Sequence, residues 1–349
     1  MQPLNHSTRN HAKQTSQSRR EFLTKTALLT GGILAFGLPL PSRNSGSALA
    51  AAPKSAGIRY ALELEGQVAG PIFSLESGFI SGQVSEQILP QSPYPKKHLA
   101  TIAYEEMAIE CGNTMSPAFY LWIQQALAGQ TPQRSGGILT TNLANQIIDR
   151  KNFSNAVLTK VAFPALDRAA NTPASLGIKI KPAQLSYQSG VGQIAVPIKG
   201  KLGAWLVSNF RINIDGLEQA CAHVVRVESL VWEQPVSQGQ IGALRSKLPA
   251  VGQIQTPNLI LTLPQAQAVP FTQWFYQFVV QGQASESAER SGTLEFFATD
   301  LKTILFTLNF GHLGIFRMSP VAQSQNSAVP LVQVEMYCET MQLTRFPNT

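Results

Sequence analysis

The chain has 349 residues, 44 % hydrophobic and 13 % charged, with 26 glycines, 22 prolines and three cysteines. That composition excludes a disordered chain, a coiled coil, a collagen and a disulfide-stapled miniprotein. No uninterrupted apolar run reaches the roughly 20 residues of a spanning helix. The formal charge of +7 is concentrated at the start, where Arg9, Lys13, Arg19, Arg20, Lys25 and Arg43 face a single acid, Glu21. Of 27 basic and 20 acidic residues in all, 21 and 19 fall after residue 50, a net of +2. The remainder lacks the concentrated basic face that displaces counterions from DNA or RNA, so no nucleic-acid partner is expected.

Residues 1–50 read as an export signal. Ser18-Arg19-Arg20-Glu21-Phe22-Leu23 leads into a modest apolar stretch from Thr26 to Leu40, then into Ala48-Leu49-Ala50-Ala51. A positive segment, a short apolar segment and an A-x-A site mark a secretory signal. The paired arginines before Phe-Leu resemble a twin-arginine signal. Cleavage after Ala50 is expected, with a periplasmic or extracellular destination and no membrane association beyond the signal. Cys111, Cys221 and Cys338 stand apart in apolar-patterned segments, without C-x-x-C spacing. They read as buried small hydrophobes, although one pair could form a disulfide.

After the signal the same pattern occurs twice. Leu62-Glu63-Leu64-Glu65-Gly66 aligns with Ile212-Asn213-Ile214-Asp215-Gly216, and Phe73-Ser74-Leu75-Glu76-Ser77 with Val225-Arg226-Val227-Glu228-Ser229. Both pairs alternate with the period of a strand. Ser116 as N-cap, Pro117 at the first helical position and Gly129 as the closing residue bound a helix. Its Phe119, Trp122, Ile123 and Ala126 form one apolar stripe. Phe271, Trp274, Phe275 and Phe278 repeat that spacing between Pro270 and Gly282, and Arg134-Ser135-Gly136 returns as Arg290-Ser291-Gly292. Further strands are predicted at Ala100–Cys111, Ala156–Phe163, Leu176–Lys181, Leu259–Leu263, Thr303–Phe310 and Leu331–Tyr337. Long Pro/Gly/Gln-rich loops are predicted at Ser85–His98 and Pro235–Thr256. The expected fold is mainly β (α+β): two tandem small antiparallel β-barrel or sandwich domains, each with one flanking helix. Their expected boundaries are 58–188 and 207–346, joined by a linker at 189–206.

Three stretches carry a resemblance to a known family. They are Phe119-Tyr120-Leu121-Trp122-Ile123 with Arg134-Ser135-Gly136-Gly137-Ile138, Phe153 through Leu166, and Val334-Glu335-Met336-Tyr337-Cys338-Glu339-Thr340-Met341. With the hairpin, long loop, Trp-bearing helix and Gly-rich turn, the arrangement resembles the tube proteins of contractile phage tails and related injection systems. That resemblance implies self-assembly: six-membered rings that stack, with the loops at Ser85–His98 and Pro235–Thr256 placed to reach an adjacent ring. A tandem chain supplies two ring positions, so three chains would make a pseudo-hexamer, with other tail-like components as further candidate partners.

The familiar signatures of chemistry are missing. His98, His223 and His312 are the histidines after residue 50, and no two lie at i, i+4 in an H-E-x-x-H arrangement. There is no G-x-S-x-G elbow, no P-loop and no G-x-G-x-x-G, and Ser189-Gly190-Val191-Gly192 reads as linker. His223 and His312 read as partly buried structural residues, His98 as an exposed one, and the neighbouring Glu105-Glu106 as edge or loop charges. No catalytic, cofactor-binding or metal-binding residue is nominated, no cofactor is expected, and the chain is read as a non-enzyme. A monomeric two-domain secreted protein binding a saccharide, peptide or protein is the alternative. A hydrolase assembled only in space would draw on Glu76, Glu110, Glu228, His223 and His312. The loop glutamines Gln133, Gln238, Gln240, Gln253, Gln255, Gln323 and Gln325 suit either subunit contacts or ordinary solvation.

Overall fold

Period-two alternation builds most of the molecule, as in Leu176–Lys181, where Leu176, Ile178 and Ile180 are buried and Lys179 is exposed. The computed structural model describes residues 57–194, 205–238, 249–322 and 329–345. The export segment with its cleavage site, most of the predicted linker, and Gln240, Gln323 and Gln325 lie outside the described residues. Residues Ser55–Thr349 form one unit. Its first half runs β1 (Arg59–Leu64), β2 (Gln67–Ser77), β3 (Ile80–Gln87), β4 (Lys96–Tyr104), β5 (Met107–Cys111), α1 (Pro117–Leu127), β6 (Arg134–Thr141), β7 (Ile147–Phe163), β8 (Leu166–Asp167), β9 (Leu176–Lys181) and β10 (Gln184–Ser189). The second runs β11 (Trp205–Ile214), α2 (Glu218–Cys221), β12 (Arg226–Val227), β13 (Leu230–Glu233), β14 (Val236–Gln238), β15 (Pro249–Val251), β16 (Leu259–Pro264), α3 (Val269–Phe275), β17 (Arg290–Ala298), β18 (Ile304–Pro320) and β19 (Leu331–Arg345).

The two halves pair their strands in one order. In the first, β7, β6, β1, β2, β5 and β9 follow one another, and β9 returns to β7 to close a barrel. In the second, β18 likewise lies between β17 and β19, β17 pairs β11, and β16 joins β19 to β12. All of these pairings are antiparallel. The expected fold class, two antiparallel barrel-like sheets each with a helix, is the observed one. Among the described residues no helix is long and apolar enough to cross a membrane.

The first helix forms where its caps direct. The Ser116 side chain accepts from the Phe119 N–H, Pro117 opens α1, and Gly129 follows it at φ +80°. Phe119, Trp122, Ile123 and Ala126 are buried as the stripe requires. In the second half α3 ends at Phe275 and the chain continues as a π-helical turn, Tyr276–Val280. Phe271, Trp274 and Phe278 are buried there, while Phe275 packs only partly against the core. Each tryptophan donates its indole N–H to a carbonyl in the loop beyond, Trp122 to Pro132 and Trp274 to Ala288.

Several boundaries differ from the sequence reading. The predicted loops at Ser85–His98 and Pro235–Thr256 contain hairpins, β3 with β4 and β14 with β15. Their Gln, Ser and Gly content hides the alternation. The predicted strand Ala100–Cys111 is two strands, interrupted at Glu105 and Glu106, where Glu105 donates its N–H to the Phe79 carbonyl. Trp205, inside the predicted linker, is buried and opens β11. β7, β18 and β19 run well past their predicted ends.

One continuous core underlies both sheets. Its centre is an aromatic cluster drawn from both halves: Phe296 and Phe306 have ring centroids 4.5 Å apart, Trp205 stands edge-on to Phe306 at 5.1 Å, and Phe163 lies 6.1 Å from Phe296. Trp232 on β13 is fully buried beside this cluster's strand, opposite Val161. Trp232→Ala is expected to cost about 3–5 kcal/mol, the usual range for emptying a large core site. Chemical denaturation followed by far-UV circular dichroism measures it, and a change below 1 kcal/mol would contradict this role.

Candidate assembly interface

The halves are joined by exchanged strands. Along one edge of β7, β6 pairs its first part, from Ile147 to Ala156, and β13 of the second half takes over from Lys160 to Phe163. The chain then supplies β8 to the second sheet, where Leu166 faces Val227 and Asp167 faces Arg226. β8 closes on β11 through the stretch that follows it: Val207 N–H donates to the Thr172 carbonyl and Ala174 N–H to that of Trp205. Each sheet therefore contains a strand from the other half. An ion pair crosses the seam, Lys160 Nζ to Glu233 Oε1 at 2.9 Å. At the far end Arg345 lies over the Tyr120 ring at 4.1 Å and donates to the Met115 carbonyl.

A second surface is the ribbon of β3 and β4, which pair only with each other. One face aligns Ile80 and Val84 with Ile102 and Leu99. Val84 is 61 % and Leu99 66 % exposed, and the loop at the tip adds Ile88 at 86 %. The other face is polar, with Thr101 donating to Gln83 and Ser85 bonded to His98, while the Lys97–Glu86 pair ends the apolar face toward the tip. A two-stranded ribbon is marginal in water on its own, and a contiguous apolar stripe of this kind marks an interaction surface.

The residues considered for chemistry do not converge. Glu76 and Glu110 line a cleft of about 150 Å³ with Lys160 and Lys179, away from the histidines. Glu228 is paired with Arg226 at 3.1 Å. His223 is exposed rather than partly buried, and His98 is exposed and bonded to Ser85 Oγ at 2.7 Å. His312 is also exposed, not buried, and meets Glu289 at 2.9 Å. The three cysteines are free and buried, as small hydrophobes would be. Burial pushes the Cys221 and Cys338 thiols up to about 12 and raises Cys111 as well, so none is a ready nucleophile. Among the described residues no group of three or more His, Cys, Asp and Glu could hold a metal ion.

One polar cluster escaped the sequence reading. The Glu289 carboxylate, 8 % exposed, accepts from Tyr337 Oη at 2.6 Å and bonds His312 Nδ1. The Tyr337 bond, then His312, holds Glu289 below the usual carboxylate range, and the Glu289 bond raises His312. His312 sits at a bulge with φ +55°, and its counterpart Asn155 has φ +48°. The signal was the matched position in the repeat, since both precede the residue paired with Arg134 or Arg290. The cluster pins a bulge.

No family model matches the chain, and no curated protein does. Among solved structures the chain is similar to an extracellular contractile injection system, the PVC sheath/tube terminator in its extended state, at 18 % identity. That match covers 41 % of this chain and 100 % of the other, with a TM-score of 0.33. A match to the anti-feeding prophage baseplate has 14 % identity, 40 % and 93 % coverage and a TM-score of 0.29. Hcp1 from Flavobacterium johnsoniae matches at 9 % identity, with 40 % and 98 % coverage and a TM-score of 0.25.

The Glu289–His312 pair sets a pH dependence. A raised histidine stabilises the fold below its unfolded value of about 6.5 and loses that contribution as pH rises through the folded value. The depressed Glu289 contributes above its unfolded value and loses it as pH falls through the folded one. His312→Asn, the residue its counterpart carries, is expected to flatten the fall in melting temperature on the alkaline side of pH 6.5. Thermal unfolding across pH 5 to 9 reads this; an unchanged profile would contradict it.

Proposed function

We propose that this chain is an exported, non-enzymatic structural subunit that self-assembles through its two tail-tube-like halves into a ring or tube. The observation that carries the reading is the seam: two barrels of one design already complete each other by exchanging strands within a chain. Copies of such a unit that repeat the contact make a closed ring or an open stack. The half-exposed apolar face of the β3–β4 ribbon supports the reading, because a neighbouring subunit would cover it. Three chains give six barrel positions, the pseudo-hexamer that the resemblance implies. The twin-arginine route to the periplasm or cell surface belongs to the same proposal, as do domain limits near 58–188 and 207–346.

Mass photometry of the full chain over a concentration series, with negative-stain images of large species, tests this. Complexes at three times the 37.8 kDa chain mass, or stacked rings, are expected. A single chain at every concentration would overturn the reading in favour of a monomeric binding protein.

A further inference from the structure

The two surfaces that meet at the internal seam each have a counterpart that no described strand covers. The ladders fix the correspondence. Gly136 faces Phe153 and Gly292 faces Phe310, so Lys160–Phe163 of β7 match Arg317–Pro320 of β18. Leu75 faces Ile109 and Val227 faces Leu261, so Leu230–Glu233 of β13 match Gly78–Ser81, the stretch that leads into β3. The far edge agrees: Glu233 bridges Gln255, and Ser81 pairs with Ala103. β17 stops pairing with β18 at Leu313, and β1 stops pairing with β2 at Ile72, which leaves both counterparts without a strand on that edge, where the Gly78 carbonyl accepts only from the Tyr187 side chain at 3.1 Å.

We propose that Arg317–Pro320 of one copy pairs antiparallel with Gly78–Ser81 of a second copy, in the register of the internal seam. This rests on the self-assembly reading and specifies its contact. Gly78 then faces Pro320, Phe79 faces Ser319, Ile80 faces Met318 and Ser81 faces Arg317.

The chemistry of the two edges fits. The Phe79 carbonyl is taken by the Glu105 N–H at 3.0 Å, so alternation turns the backbone of Ile80 toward the open edge. Trp232 inside the seam bonds the same way, since its neighbour Glu233 is exchanged with Gln255 on the far side. Ile80 is 39 % exposed where its counterpart Trp232 is fully buried, so pairing would finish a burial the single chain leaves incomplete. The charges are compensated as well. Lys160 faces Lys179 on its own barrel and takes its acid from across the seam, from Glu233. In the second barrel Glu335 replaces that lysine and holds Arg317 at 3.2 Å, so the neutral Ser81 opposite it leaves no charge unpaired. Pro320, with no N–H to donate, falls at the end of the ladder, where a missing donor costs least.

The head-to-tail geometry gives a specific test with the full chain. Ile80→Lys spoils one edge and Met318→Lys the other, so each variant alone is expected to remain single. An equal mixture is expected to give a complex of two chains, twice 37.8 kDa, and nothing larger, because the intact edges of the two variants meet once. Either variant alone assembling like the unaltered chain overturns this register and leaves the self-assembly reading standing; an unaltered chain that never assembles overturns both. Circular dichroism checks that each variant folds. Should one fail to fold, Phe79→Cys with Ser319→Cys in one chain replaces it. Those positions face each other in a pair without hydrogen bonds, the close spacing that suits a disulfide. Disulfide-linked multimers on a non-reducing gel are expected, and their absence, in a sample that still assembles, overturns the register.

Discussion

The closure of the second sheet depends on the ladder between β8 and β12, which continues the one between β7 and β13. A strand half-buried against a core must have its backbone N–H and C=O groups paired. In the first barrel β1 and β2 pair directly and satisfy that need locally. In the second barrel β11 and β12 do not pair with each other, and residues from the first half stand between them. The continuous core follows from this, because Phe163, at the end of β7 where β13 pairs with it, stacks into the ring cluster of Trp205, Phe296 and Phe306.

The same device that holds the chain together limits what a single chain can satisfy. A seam built from two different surfaces is heterologous, and each half carries both surfaces by duplication. One of each is used internally; the others are left at opposite ends of the pattern. The halves are not copies in detail. Lys160 reaches across to Glu233 whereas Arg317 is held at home by Glu335, and Asn155 and His312 occupy one bulge with different chemistry. The two halves thus share one backbone geometry and differ in side-chain chemistry.

Much of this was legible in the residues. The duplication showed in Leu62–Gly66 against Ile212–Gly216 because alternation and a closing glycine leave a pattern that survives substitution. The first helix showed because Ser116, Pro117 and Gly129 each act within one turn. The hairpin of β3 and β4 did not show, since ISGQVSEQ is polar at most positions and stays exposed, so no buried face imposes alternation on it. The seam was also hidden. Its four pairs join residues some 70 positions apart, and nothing local in Leu230–Glu233 says which barrel it will enter. Glu289 and His312 lie 23 residues apart and meet only because β17 and β18 are adjacent. For the seam and for Glu289 with His312 the missing information is pairing between residues distant in sequence, which periodicity cannot encode.

The most direct measurement is amide hydrogen exchange by mass spectrometry on the unaltered chain, at a dilute and a concentrated setting. The expected result is protection of residues 160–163 and 230–233 at both settings, with residues 78–81 and 317–320 exchanging fast when dilute and slowing when concentrated. Fast exchange at 160–163 and 230–233 would contradict the internal seam, and unchanged exchange at 78–81 and 317–320 in an assembled sample would contradict its reuse between chains.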